Sequence, residues 1–388
     1  MMTHEASLTA DRFVASIRER FGSDPIVVGR APGRVNLIGD HVDYCGGVVL
    51  PMAIPQACFC GVVGDDSLGD RLAISTAAFE SEVILDTKAP LEPGTGGEIG
   101  SWASYPIGVI AGLGELSDLS KLAGQRVHLE SEVPLGGGLS SSASLEVSTA
   151  TAVAHFLGID LHGLQLAKLC QRAEHRFAGM PCGLMDQAVS VLGAEGHAIR
   201  LDCADDEVVR VPIPSEASFL VFHSGVSHAL ADGEYGKRRA ACERSTALLG
   251  VDHLARADAS AIDGLPEDLK PFARHVITET SRVNDACTAL KQGELDRFGT
   301  AMSESHASLR DDFRVSCVEV DRLCQVLSEA SGCLGARMTG GGFGGCVVAL
   351  AMPGSEASLV EAAEGARDAC PDMSLVQVRP SAGASIEC

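Results

Sequence analysis

Aromatic residues are scarce in this chain, at 4% of 388 residues with one Trp and three Tyr, so a stacked platform for a flat ligand is not expected. Basic residues are outnumbered as well: 30 Lys and Arg face 52 Asp and Glu, a formal charge of −22. Nucleic acid and anionic membranes both require basic surface, so neither is expected as a partner. No uninterrupted apolar run reaches the ~18 residues that a transmembrane helix needs. A basic start followed by an apolar core, the mark of a secretory signal, is also missing. The 14 cysteines have no regular spacing and no Cys-x-x-Cys pair. They read as buried thiols of a reducing cytoplasm, where the protein is expected to work. If its ligand is an anion such as ATP, the site must gather local positive charge or N–H dipoles, or bring a cation.

Glycine, by contrast, is plentiful, and one stretch stands out: Val133–Ser144, Val-Pro-Leu-Gly-Gly-Gly-Leu-Ser-Ser-Ser-Ala-Ser, leading into an almost uncharged apolar run to Leu157. Glycines allow tight turns and close approach of backbone to a ligand. Ser140, Ser141 and Ser142 fall where a helix begins, with free N–H groups and the positive end of the helix dipole. Such a start can bind phosphate, although a glycine turn with a serine N-cap needs no ligand. The nucleotide P-loop is excluded, since no Lys-Ser/Thr pair closes the loop.

Earlier in the chain, Phe13, Ile17 and Phe21 recur every four residues, which predicts a helix over Leu8–Phe21 ending at Gly22. A strand is expected at Ile26–Arg30, broken at Ala31-Pro32-Gly33. Gly33–Tyr44 then sets Arg34, Asp40, His41 and Asp43 within ten residues. A charged surface loop, a metal site and recognition of a polyhydroxy ligand all suit this cluster; carboxylates and imidazole pair well with sugar hydroxyls. Farther on, Leu161–Phe177 reads as an amphipathic helix with Glu174 in its last turns. Gly179–Gln187 is a rigid turn that places Asp186 at the start of a short helix. The carboxylate there suits either the helix dipole or acceptance of a proton from a hydroxyl. Tyr235 reads as an ordinary loop aromatic. Helical patterns dominate Ala240–Leu327, including Phe272–Lys291 and Leu295–Leu309. Gly340, Gly342 and Gly345 fit Gly-x-Gly-x-x-Gly, but a strand (Val347–Leu350) follows them where the dinucleotide fingerprint needs a helix.

Gly33–Tyr44 resembles the N-terminal signature of galactokinases, and Val133–Ser144 the ATP loop of the wider GHMP small-molecule kinase superfamily. Gly335–Cys346 is similar to the third GHMP signature, and Gly179–Gln187 to the galactokinase segment that carries the catalytic Asp. This resemblance, from about Ile26 to the C-terminus, implies the two-domain GHMP kinase fold, α/β followed by α+β, with the active site between the domains. A division near residue 210 is expected from the shift toward helices. Residues 1–210 would hold the sugar signature and phosphate loop, and residues 211–388 the C-terminal domain.

The resemblance further implies an ATP:sugar 1-phosphotransferase, with D-galactose as substrate. Asp186 and Arg34 would be catalytic, and Arg34, Asp40, His41, Asp43, Gly183, Asp186 and Tyr235 would bind the sugar. Gly136, Gly137, Gly138, Leu139, Ser140, Ser141 and Ser142 would contact ATP, while Ser142 and Glu174 would hold Mg²⁺, the cation that an acidic protein needs. A monomer is expected. Three positions depart from the commonest galactokinase form: Asp40 stands where Glu is usual, Val42 where Thr is usual, and Cys45 where Asn is usual. N-acetylgalactosamine kinases and other sugar-1-kinases are the nearest alternatives. A sugar- and ATP-sensing regulator without turnover is another, although the serine loop here is whole.

Overall fold

The structure is a computed structural model that describes residues 8–227 and 231–387. The first helix runs Ala10–Phe21, as the periodicity predicts: Phe13 and Ile17 are buried, the Thr9 side chain caps its start, and Gly22 closes it with φ +77°. The next strand corrects the sequence reading. Val27–Asn36 runs straight through Ala31-Pro32-Gly33, paired antiparallel with Pro51–Gly64, and a register shift between Pro32 and Arg34 absorbs the irregularity. A bulge of this kind re-aims side chains, and Arg34 emerges directly after it.

These two strands sit within a six-stranded sheet ordered Ser385–Ile386, Val27–Asn36, Pro51–Gly64, Gln125–Ser131, Arg71–Thr76 and Phe79–Asp86. The helix Ser141–Leu157 packs on the sheet through Val147, Ala150 and Val153, in a core shared with Ile107, Ile110 and Leu169. A second sheet joins Cys333–Thr339, Gly344–Ala351, Ser218–Ser227 and Ser374–Gln377, and a small third one joins Val48–Val49, His197–Asp202 and Glu207–Pro212.

Residue 210 lies inside the strand Glu207–Pro212 rather than in a linker. The extreme C-terminal strand crosses back to pair Gly29 with Ile386. One hydrophobic core also joins Val42, Val49 and Leu184 to Phe222, Leu309 and Val347. The two halves are thus sewn together by sheet and core. Among the described residues, no helix is long and apolar enough to cross a membrane.

Helices in the C-terminal half follow the expected pattern at Lys270–Gln292 and Leu295–Ser308. The glycine-rich segment Gly340–Phe343 is the turn of a β-hairpin between Cys333–Thr339 and Gly344–Ala351. A strand on both sides agrees with rejection of a dinucleotide fingerprint. Tyr235 departs from its reading as a loop residue and lies on the helix Ala231–Leu249. His228, Ala229 and Leu230, part of the segment around it, lie outside the described residues.

Candidate active site

Three glycine-rich segments meet at one place. Arg34 N donates to the Leu139 carbonyl at 3.0 Å, and Arg34 Nη1 donates to the Gly138 carbonyl. Gly340 has φ +91°, and a Cβ there would stand 2.8 Å from Gly138 Cα. Any side chain at 340 would therefore push the hairpin turn off the phosphate loop. The loop leads into the helix Ser141–Leu157, whose preceding residue Ser140 holds a left-handed φ of +60° and makes no capping bond. That corrects the serine-cap reading: Ser140 Oγ instead donates to Asp186 Oδ2 at 2.5 Å. A non-glycine residue in this conformation is strained by about 1–3 kcal/mol, a cost concentrated at functional sites.

Asp186 sits in the first turn of the helix Met185–Leu192. Arg34 grips it with a two-pronged bond, Nε to Oδ1 at 2.8 Å and Nη2 to Oδ2 at 2.7 Å. Arg34 is 4% exposed. A guanidinium has five N–H donors; three are engaged here, and two remain for an anion. Oδ1 of Asp186 receives a single bond from the protein, so it keeps a lone pair for a hydroxyl.

A cavity of about 250 Å³ opens beside this pair, lined by Asp40, His41, Asp43, Ser142, Glu174, Gly183, Tyr235 and the turn Gly340–Gly342 as well as Arg34 and Asp186. Asp43 belongs to a short 3₁₀ turn, Asp43–Cys45. Burial, then the neighbouring Asp186 charge, pushes its carboxyl up to about 6, against hydrogen bonds from the Tyr44 and Met185 backbone. As a carboxylate Asp43 accepts sugar hydroxyls on both oxygens, and more strongly than when protonated. The galactose kcat/KM is then expected to rise with pH through about 6 and level off above, and Asp43→Asn should flatten that limb. Folding has the opposite sign, because a raised carboxyl favours the protonated native form. Asp43 therefore contributes stability at low pH that is lost as pH climbs through about 6.

His41 is buried and strained at φ +63°. Burial depresses its pKa to about 4, so the ring is neutral at pH 7. Its Nε2–H donates to the Gly341 carbonyl at 3.2 Å, which leaves Nδ1 to accept from Tyr44 OH at 3.0 Å. Both ring nitrogens thus have protein partners. Tyr235 packs 5.4 Å from the His41 ring, with Tyr44 and Phe313 alongside. Two of the three tyrosines are concentrated here. The helix that carries Tyr235 is tied down where Arg238 Nε donates to the Phe313 carbonyl at 2.9 Å.

Glu174 is buried in a π turn, Glu174–Ala178, that extends the helix Gly163–Ala173. Its Oε2 accepts from Gln187 Nε2 at 2.5 Å and from Cys182 Sγ at 3.2 Å. Gln187 Nε2 also donates to Glu146 Oε2 at 3.0 Å, and Glu146 Oε1 has no partner. Burial pushes the Glu174 carboxyl up to about 7, and the Asp186 charge adds to the rise. Glu174 and Ser142 reach the same cavity, a hard oxygen set beside an uncompensated pair of carboxylates. This fits Mg²⁺, which takes one or two carboxylates and completes its shell with water and phosphate oxygens. Among the described residues, no group of three or more His, Cys, Asp or Glu could hold an ion by itself.

The expected sugar residues all line this cavity together with Ser142, and Gly138, Leu139 and Ser140 bond to Arg34 or Asp186 beside it; Gly136, Gly137 and Ser141 are not among its lining. The sequence reading missed two deeper layers. Glu146 is the sole carboxylate in the run that follows the phosphate loop, a signal passed over as part of an apolar helix. Arg337 lies fully buried in the strand Cys333–Thr339. A lone Arg in a strand of small and apolar residues is a visible mark of a paired interior charge.

The chain matches known proteins over nearly its whole length. Residues 17–62 match the galactokinase galactose-binding signature, residues 104–194 the GHMP kinases N terminal domain, and residues 286–371 the GHMP kinases C terminal domain. The chain is 42% identical to a galactokinase of Streptomyces coelicolor over 371 residues, covering 93% of this chain and 92% of that one. It is 42% identical to a galactokinase of Homo sapiens over 345 residues, 86% of each chain. Among solved structures, Lactococcus lactis galactokinase complexed with galactose superposes with a TM-score of 0.88 at 26% identity, covering 97% of this chain and 99% of that one. Identity of this level over nearly the whole of a curated chain, with the galactose signature matched, means that this protein belongs to the galactokinase family of the GHMP kinases.

Proposed function

We propose that this chain transfers the γ-phosphoryl group of ATP to the anomeric hydroxyl of D-galactose, giving α-D-galactose 1-phosphate and ADP. The observation that carries this reading is the clasp of Arg34, Asp186 and Ser140 at the mouth of a helix N-terminus, in the same cavity as Asp43 and Tyr235.

Residues 1–210 supply the sugar signature and the phosphate loop, and residues 211–388 supply Tyr235 and the Gly340 turn. ATP phosphates lie against the backbone of Gly136–Leu139 and the first N–H groups of the helix Ser141–Leu157, where the dipole favours anions. Asp43, Gly183 and Tyr235 orient the sugar, with His41 and Asp40 in the wall. Asp186 accepts the anomeric hydroxyl on Oδ1 and, as a new O–P bond forms and the bond to ADP breaks, takes or passes on its proton. The two spare donors of Arg34 spread the charge of the transferring group. Phosphoryl transfer depends chiefly on such positioning and charge stabilisation. Ser142 and Glu174 would hold Mg²⁺, whose chemistry is to neutralise the triphosphate.

Glu174→Ala is expected to raise the Mg²⁺ concentration for half-maximal rate by about tenfold or more; an unchanged Mg²⁺ titration would remove Glu174 from the metal site. The function itself is tested by ADP release on adding hexoses, with and without a 2-acetamido group, scored by kcat/KM. Galactose is expected to lead. Release with none of them would leave a binding protein without turnover, and preference for the 2-acetamido sugar would reassign the substrate.

A further inference from the structure

Asp40 lines the cavity, yet its carboxylate is held by the protein on both oxygens. Oδ1 accepts from Gly340 N at 3.0 Å. Oδ2 lies 2.6 Å from Arg337 Nη2, with side-chain exposures of 2% for Asp40 and 0% for Arg337. Oδ2 is itself inaccessible and makes no well-aligned hydrogen bond with anything. Both oxygens of this carboxylate are thus engaged by the protein, and Oδ2 is closed off from the cavity altogether.

The same turn is gripped from behind. Gly39 N donates to Glu279 Oε1 at 3.0 Å, and the Asp40 carbonyl accepts from His275 Nε2 at 3.0 Å. Both side chains belong to the helix Lys270–Gln292, and Glu279 is fully buried. Arg282, one turn on, pairs with Glu279, and Ser305 Oγ donates to it. Burial alone would raise the Glu279 carboxyl; the charges of His275, Arg337 and Arg282 hold it below the ordinary carboxylate range. Two carboxylates and the Arg337 guanidinium thus share a buried compartment immediately behind the sugar wall, with Arg282 at its partly exposed edge. Such a group tolerates little rearrangement, because moving any member strands another charge.

We propose that Asp40, Arg337 and Glu279 form a buried charge brace that positions the Gly39–Asp43 turn and the Gly340–Gly342 turn around the sugar, and that Asp40 acts through this brace rather than by bonding the sugar. All three are positioning residues. The shorter Asp stem, where a Glu is usual in the resembling signature, matches a carboxylate drawn back onto Arg337. The inference rests on the galactokinase reading and deepens it, since it states how the sugar subsite is held in shape.

The test pairs a side-chain change with removal of single substrate hydroxyls. kcat/KM is measured for wild type and Asp40→Asn with D-galactose and each monodeoxygalactose that lacks one non-anomeric hydroxyl. A brace acts on every sugar alike. Asp40→Asn is therefore expected to lower kcat/KM about tenfold, by the same factor, within about twofold, for each sugar. A deoxysugar on which Asp40→Asn has no further effect would reveal a direct bond from Asp40 to the missing hydroxyl and overturn the proposal.

A second arm holds if Asp40→Asn does not fold. Glu279→Gln keeps an acceptor for Gly39 N but removes the charge that Arg282 and Arg337 face, so it is expected to raise galactose KM, by less than Glu279→Ala does. Glu279→Ala is expected to raise that KM about tenfold with ATP KM within about twofold. No change in galactose KM, or an equal rise in both constants, would overturn the brace. Wild-type protein that releases no ADP with galactose would refute the kinase reading itself, a separate outcome.

Discussion

Asp186→Ala is expected to lower kcat by about 10²–10⁴, the range of a positioned acid–base group, while ATP still binds. The phosphate loop and the first turn of its helix do not depend on Asp186 for their backbone. Arg34, however, loses two of its three side-chain hydrogen bonds. Asp186 is 26% exposed in its side chain and Arg34 5%. The cost in stability is therefore that of a partly screened pair, about 1–3 kcal/mol, rather than that of a fully buried one. A fall in kcat with little change in ATP KM, in a protein that still melts cooperatively, is the expected result. Near-normal turnover would remove Asp186 from the chemistry.

The second large effect is expected from a single methyl group. A Cβ on Gly183 would overlap the Asp43 carboxylate. The obstacle is the end of a side chain rather than backbone, and Gly183 has no positive φ, so Gly183→Ala can fold by rotating Asp43 away. That rotation displaces the group expected to hold the sugar. Galactose KM should rise by at least about tenfold, in line with the sensitivity of catalysis to ångström-scale misplacement, while ATP KM stays within about twofold. Unchanged galactose KM would show that Asp43 does not orient the substrate.

Much of the site was legible because its chemistry is concentrated in glycine-rich segments, and glycine marks the places where backbones touch. The loop at Gly138 and the turn at Gly340 each stand out in the chain; their contact with one another does not, since it joins segments far apart in the sequence. The strand Val27–Asn36 was misread because Pro32 and Gly33 normally end a strand, whereas here a register shift between Pro32 and Arg34 keeps the pairing. Ser140 looked like a cap because its position is one, but its hydroxyl is claimed by Asp186, a partner 46 residues away. Glu279 was invisible for a physical reason: on a helix a buried charge is indistinguishable from a solvated one until its partner is found. Arg337 stands out in its apolar strand, but the pattern does not name Asp40 as its partner.

The central claim is that Arg34 and Asp186 act on one transferring phosphoryl group as a single unit. A double-mutant cycle on kcat tests it, using Arg34→Lys, Asp186→Ala and the combination, with galactose and ATP saturating. Groups that act as a unit are strongly non-additive, so the combined variant is expected to be no slower than the worse of the two single variants, within about threefold. Losses that simply multiply would mean that the two residues serve separate steps, and would contradict the account.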